Sequence, residues 1–356
     1  EPTSTPILNE GVKHSISEIC VPMKVYVGQV LDLVETKQVD LVYVPRFVSI
    51  KKGIFFCPKF MGLPDLIKHS LKGMEDKVLT HHITAASDDI SSYADYQEFT
   101  ELLGVSKREL KVALRTAGKK WRVYRNQLRQ GYFADELLEG RALQPKEGQL
   151  TVGLLGYVYN VYDAFINMNL VHHLREMDLK VVTFEMLSEQ EIEAGRKDFR
   201  KPMFWDFTNM LLGAGYHFLH SPEIDGIIHV TAFGCGPDSV FGPFLEIDSA
   251  RYNKPYLTLR IDEHTGESHL GTRIEATLVY GKLFELLGHQ VIMPPRPTRH
   301  TIDLGVKYAP EFACFPLKVI LGTYLEAIEL GADTLVTTGG NGPCRAGYYG
   351  EVHKKI

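Results

Sequence analysis

Apolar positions along most of the chain alternate between two rhythms. Short runs rich in β-branched residues predict strands at Val39 to Val44, Leu150 to Leu155, Lys180 to Phe184, Gly226 to Val230 and Tyr256 to Ile261. Between them, apolar residues recur every three or four positions and predict helices. One such helix carries Val25, Val27, Leu31 and Val34; others run from Ala164 to Met177 and from Phe244 to Tyr252. Strand and helix in alternation predict an α/β fold of Rossmann-like lobes, with parallel sheets and crossover helices.

Part of this pattern occurs twice. An offset of 294 places Cys20 on Cys314, Pro22 on Pro316, Lys24 on Lys318 and Gly28 on Gly322; without a gap, 12 of the 32 positions from 11 to 42 are identical. Such self-similarity reads as an internal repeat. Four segments follow: a first lobe over 1–75, a helical insertion over 76–148, a second lobe over 149–276, and an incomplete second copy of the first lobe over 277–356. The early stop of that copy suggests a fragment.

The insertion differs in character. From Lys107 to Arg129, Leu110, Leu114, Ala117, Trp121, Tyr124 and Leu128 form one helical face, and nine Lys or Arg oppose the single acid Glu109. A solvated face is the ordinary use of such a stripe; docking of an acidic partner or a phosphate-bearing ligand is the other.

Composition narrows the class. With 356 residues, 44% hydrophobic and 23% charged, the chain reads as globular and long enough for two or three cores. A net charge of −5 gives no general reason to expect nucleic-acid binding. No apolar run approaches the ~20 residues that span a bilayer. Five cysteines, an odd number in a long chain, do not form a secreted disulfide framework and point to a reducing compartment such as the cytoplasm.

The cysteines carry the candidate chemistry. Cys20 and Cys314 each precede a proline at a loop-to-helix entry, where unpaired amides and the positive end of the helix dipole favour a thiolate. A lone cysteine there serves equally well as a small buried hydrophobe; the matched pair favours ligation. Cys57-Pro58 follows the strand of the first lobe. Cys235 lies in the turn Phe233-Gly234-Cys235-Gly236-Pro237-Asp238-Ser239, and Cys344 in the glycine-rich stretch 339–347. Cys20, Cys57 and Cys235 are expected to converge on one cleft. Three thiolates from separate loops suit a [4Fe–4S] cluster with one iron free or otherwise ligated. Zinc on three cysteines and a histidine is the competitor, although no C-x-x-C pair occurs.

The Cys-x-Pro-x-Lys element, the Phe-Gly-Cys-Gly-Pro-Asp-Ser turn, Arg260-Ile261-Asp262-Glu263-His264 and Thr272-Arg273-Ile274-Glu275-Ala276 resemble the activase-related, or CoA-protein-activase, family, relatives of the D-component subunits of 2-hydroxyacyl-CoA dehydratases. The resemblance implies paired Rossmann-like lobes holding an iron–sulfur cluster on Cys20, Cys57 and Cys235, with Cys314 and Cys344 as two ligands of a second. It further implies an ATPase partner of the sugar-kinase, Hsp70 and actin superfamily, which delivers low-potential electrons. The expected role is ATP-coupled electron transfer or reductive dehydration of an acyl-CoA, in a homo- or hetero-oligomer. No motif in the chain identifies a CoA pocket.

Other residues stay open. Asp262, Glu263, His264 and His269 share a polar loop that suits a divalent metal, a zinc hydrolase or plain solvation. Lys24 and Lys318 are placed to offset thiolate charge. Gly153-Leu154-Leu155-Gly156 hints at nucleotide contact. The competing function is a non-redox module that binds a nucleotide or acyl-CoA, its cysteines structural.

Overall fold

The computed structural model describes residues 3–84, 93–140, 150–197, 199, 201–263, 274, 284, 287–292, 297–311 and 313–336. It divides into two compact units, Glu1–Leu270 and Gly271–Ile356.

The first unit opens with α1 (Thr5–Lys13) and α2 (Val21–Leu31), the latter continued by a π-helical turn through Thr36. Next come β1 (Val42–Tyr43), β2 (Arg46–Ser49), α3 (Pro58–Met61), α4 (Leu63–Ser70), β3 (Val78–Leu79) and β4 (His82–Thr84). β1 pairs with β3 and β2 with β4, both parallel. The strand expected over Val39 to Val44 is therefore short. Pro45, which has no amide hydrogen, separates two pieces of one extended path whose amides at Val44 and Arg46 still donate to Leu79 and His81.

The helices α1 and α2 cross at backbone contact. A Cβ on Gly11 would stand 1.8 Å from the Lys24 carbonyl oxygen, and one on Gly28 1.9 Å from that of Ile7. Only hydrogen fits at either point.

The insertion holds α5 (Tyr93–Tyr96), α6 (Glu98–Leu102), α7 (Lys107–Arg129) and α8 (Ala134–Glu139). A capping box starts α7: the Glu109 amide donates to Ser106 Oγ, and the Ser106 amide donates to the Glu109 carboxylate. Leu110 and Leu128 are its buried anchors.

The second lobe holds β5 (Leu150–Gly156), α9 (Val158–Tyr162), α10 (Leu170–Glu176), β6 (Leu179–Thr183), α11 (Glu189–Gly195), α12 (Asp206–His220), β7 (Gly226–Ala232), α13 (Gly236–Arg251) and β8 (Tyr256–Ile261). Its sheet is parallel throughout, in the order β6-β5-β7-β8. All seven residues of β7 are buried, as a central strand covered on both faces requires. Leu211, Leu212, Phe218 and Leu219 of α12 pack into the core with Leu155, Ile227, Phe241 and Leu245. The Rossmann-like expectation holds in this lobe.

Two helices differ from expectation. Residues 164–177 are broken: Met168 and Asn169 have φ of +54° and +56°, and helix resumes at Leu170. Asp163 Oδ1 accepts from the amides of Phe165 and Ile166, and Asn167 bonds Val161 and Leu170, so side chains replace the helical ladder. Conversely, α13 begins at Gly236 rather than Phe244 and carries Pro243 inside it. The glycine–proline pairs that look like breakers sit at its entry and within it.

The second unit contains α14 (Arg299–Tyr308) and α15 (Phe315–Glu329). The crossing seen between α1 and α2 recurs: a Cβ on Gly305 would lie 1.7 Å from the Lys318 carbonyl oxygen, and one on Gly322 1.8 Å from that of Thr301. Lys24 donates to the Ser17 carbonyl at 3.0 Å, and Lys318 to that of Glu311 at 3.0 Å, each pair seven residues apart. The β-rich run Leu335 to Thr338, which follows the repeated helix as Val39 to Val44 follows α2, forms no strand at Leu335 and Val336, and its last two residues lie outside the described residues.

A methyl group at either crossing must push two backbones apart. Gly28→Ala is expected to destabilise the protein by about 3 kcal/mol, at the upper end of overpacking costs, as read by urea unfolding.

Candidate functional site

In the second lobe the chain order reverses between β5 and β7, which leave the sheet in opposite directions through their following segments. Open parallel sheets bind ligands at such a switch point, beyond the carboxyl ends of the strands. Here β5 leads into Tyr157 and Tyr159, and β7 into the turn Phe233-Gly234-Cys235. Gly234 makes that turn with φ +75°, and the position of its missing Cβ is 3.4 Å from the Glu18 carbonyl oxygen, two residues before Cys20. The turns bearing Cys235 and Cys20 therefore touch.

The Cys57 segment reaches the same place by a backbone bridge. The Phe55 amide donates to the Phe204 carbonyl at 3.1 Å, and the Asp206 amide donates to the Phe55 carbonyl at 2.8 Å. Two residues after Cys57, the Lys59 ammonium reaches the Gly234 carbonyl at 3.4 Å, and its charge acts to lower the Cys20 thiol. Cys20 lies close enough to Cys57 and Cys235 for their charges to bear on it, and Tyr159 feels all three thiols.

The three residues share a backbone setting. Cys20, Cys57 and Cys235 each occupy the position before the first residue of a helix, in extended conformation, with proline in the first or second helical position. Cys314 stands in the same setting before α15 in the second unit. Proline at a helix start costs no hydrogen bond, since the first amides have no intrahelical acceptor. Cys344 lies outside the described residues.

An aromatic wall backs the thiols. Phe60 and Tyr159 have ring centroids 5.7 Å apart, Phe56 and Phe207 5.5 Å, and Tyr157 and Phe207 5.1 Å. Phe56 and Phe60 flank Cys57, while Phe207 belongs to α12, so the wall crosses from the first lobe to the second.

The expectation that the helix entries favour thiolates is corrected by this burial. Desolvation pushes the Cys20 thiol up, against the pull of Lys59 and the Met23 amide. It pushes Cys235 to about 12; the Asp238 carboxylate adds to the rise, and the Asp238 amide and the Tyr157 hydroxyl oppose it. Removal from water outweighs the helix dipole. Without a bound cation these two thiols are protonated at neutral pH.

Lys24 plays a different part from the one expected. Its side chain is 2% exposed, and its ammonium donates to Glu263 Oε1 at 2.5 Å as well as to Ser17. Glu263 thus ties the loop after β8 to α2, while Lys59 supplies the cation beside Cys20. His264 and His269 lie outside the described residues. Gly153 and Gly156 are inside β5 rather than in a phosphate loop, and a Cβ on Gly153 would meet the Phe218 ring at 2.5 Å. They admit packing.

Among the described residues no three His, Cys, Asp or Glu side chains stand close enough together to hold a single metal ion. Nor is any described helix long and apolar enough to cross a membrane.

Sequence reasoning missed Lys59, Tyr157 and a deeper pair, His229 and Asp238. Their side chains are 1% and 2% exposed, with Nε2 and Oδ2 3.5 Å apart, on β7 and on the first turn of α13. A histidine inside an otherwise apolar strand was the available signal.

These features define a class: a parallel α/β protein with cysteine-capped helices gathered at a sheet's switch point. The chain belongs to the family described as CoA enzyme activase uncharacterised domain, whose model matches residues 1–187. No curated protein matches it.

In metal-free protein, iodoacetamide at pH 8 is expected to label Cys235 on the order of a thousandfold more slowly than an ordinary thiol, because its pKa is raised and the thiolate is the nucleophile. The rate should climb as pH approaches 12, and peptide mass spectrometry reads it; labelling at the ordinary rate would contradict the buried environment.

Proposed function

We propose that Cys20, Cys57 and Cys235 hold an iron–sulfur cluster, and that the protein is the cluster-bearing component of a system acting on acyl-CoA. What supports this reading is that three turns, each placing a cysteine just before a proline-bearing helix start, are in contact near the switch point of the sheet: the Cys235 turn touches the Cys20 turn at Glu18, and Lys59, two residues after Cys57, reaches Gly234. The donor set fits the group. Three sulfurs come from positions far apart in the chain, and the Met23 and Asp238 amides act on two of them, Cys20 and Cys235.

Bound there, the cluster supplies one-electron transfer at low potential. Cys20, Cys57 and Cys235 release their protons on binding, since a coordinating thiol is deprotonated outright. Lys59 adds a positive charge beside Cys20, which favours the more reduced and more negative state. The Tyr157 hydroxyl acts to lower the Cys235 thiol, and a donor so placed raises a bound cluster's potential. The aromatic residues exclude water around the sulfurs.

Family membership supports a role beside CoA enzymes. Within it, the proposed activity is ATP-coupled electron transfer or reductive dehydration of an acyl-CoA, with electrons arriving from an ATPase of the sugar-kinase, Hsp70 and actin superfamily. Cys314, in the same helix-entry setting, is proposed as one ligand of a second cluster, with Cys344.

Anaerobic reconstitution with iron and sulfide is expected to give a brown protein absorbing near ~400 nm, with iron and acid-labile sulfide in comparable amounts. Replacing Cys20, Cys57 and Cys235 together by serine should abolish the iron held by the first unit. A colourless, iron-free product, or iron content indifferent to these substitutions, would sink the proposal. Lys59→Met is expected to retain iron but lower the reduction potential in an EPR-monitored titration.

A further inference from the structure

The basic helix α7 takes no part in the site described above. Residues 107–129 carry nine Lys or Arg and one acid, whereas outside them acids outnumber bases 43 to 30. The one acid, Glu109, is occupied by the capping box at the helix start. Along the outer face, Arg108, Lys111, Arg115, Lys119 and Arg122 follow one another at three- and four-residue spacing, so each faces a like charge on the next turn. All five are exposed. Among the described residues none of them forms an ion pair with a carboxylate; Lys111 lies over the Tyr93 ring, 5.4 Å from its centroid. Among the described residues no carboxylate neutralises this self-repelling stripe.

Apolar side chains border that stripe. Val112 is 55% exposed and Val123 59% exposed, and both lie along its edge by helical position. Arginine beside exposed apolar residues is the composition of protein–protein contact surfaces. From Arg108 to Arg122 the stripe spans about 21 Å at the helical rise, which suits a patch of standard interface size.

We infer that this face of α7 docks a partner protein through an acidic, apolar-edged helix or patch. Two other anions fit it less well. A nucleic acid extends its charge evenly, at about one negative charge per 1.7 Å of duplex, and beyond α7 it would meet an acidic molecule. A small phosphate ligand needs a concave site with convergent groups. Among the described residues, the shallow depression here, about 510 Å³, is lined by Lys107, Arg108, Lys111, Val112 and Arg115 of this one helix. Of the amides at its start, that of Glu109 donates to Ser106 Oγ.

The test uses the full chain and three probes: an amphipathic helical peptide of about 20 residues with a glutamate face edged by leucine, a DNA duplex of similar length, and coenzyme A. Fluorescence anisotropy at about 150 mM salt, where exposed charges are screened beyond ~8 Å, is expected to show saturable binding of the peptide. Arg108→Gln/Arg115→Gln/Arg122→Gln should weaken it at least tenfold, with a thermal midpoint no lower than that of the parent because like charges are removed. Val112→Ser/Val123→Ser, which leaves every charge in place, should weaken it severalfold. Peptide binding that is absent, or unchanged in both variants, would overturn the inference and leave a solvated face. Tighter binding of the duplex, or displacement of the peptide by coenzyme A, would overturn it in favour of a nucleic-acid or phosphate surface.

Discussion

Two backbone hydrogen bonds at Phe55 hold the Cys57 segment in place. They join the segment before Cys57 to residues 204–206 at the entry of α12, and so fasten the first lobe to the second. The aromatic contacts of Phe56 and Phe60 with Phe207 and Tyr159 follow from that junction, as does the reach of Lys59 to Gly234. Backbone groups left unpaired in such a partly buried place would cost more than the bonds return. The bridge therefore constrains where Cys57 stands more firmly than the short helix α3 does by itself.

A second constraint acts through charge. Lys24 is almost wholly buried, and an unpaired ammonium there would be very costly. Glu263 and the Ser17 carbonyl satisfy it, which ties the loops on either side of Cys20 to the end of the second lobe. The helix that carries Cys20 is thus held from two directions: by the glycine crossing with α1 and by this ion pair. Burial that serves the packing also raises the thiols of Cys20 and Cys235, so close packing and the protonated state of these two thiols have one cause.

Much of the architecture was legible in the chain. β8 begins and ends where the alternation of apolar residues placed it, at Tyr256 and Ile261. The helical face of α7 and its start agree with the periodic positions from Lys107. Short-range chemistry hid the rest. Asp163 and Asn167 divert the backbone with their own side chains, and Pro243 stays inside a helix because packing outweighs one lost bond. Lys24 and Lys59 are both lysines near cysteines in sequence, and nothing in the one-dimensional pattern says which ammonium turns toward the thiols and which toward Glu263.

Sequence alone determined the α/β class, the offset of 294 between two cysteine-bearing helices, and the candidacy of the cysteines beside prolines, because periodicity and turn chemistry act over a few residues. The contact between the segments that carry Cys20, Cys57 and Cys235 was decided only in three dimensions. Strand order sets the switch point, the Phe55 bridge brings in the third segment, and rings from both lobes pack beside them. Each of those depends on contacts between residues far apart in the chain, whose geometry no local pattern encodes.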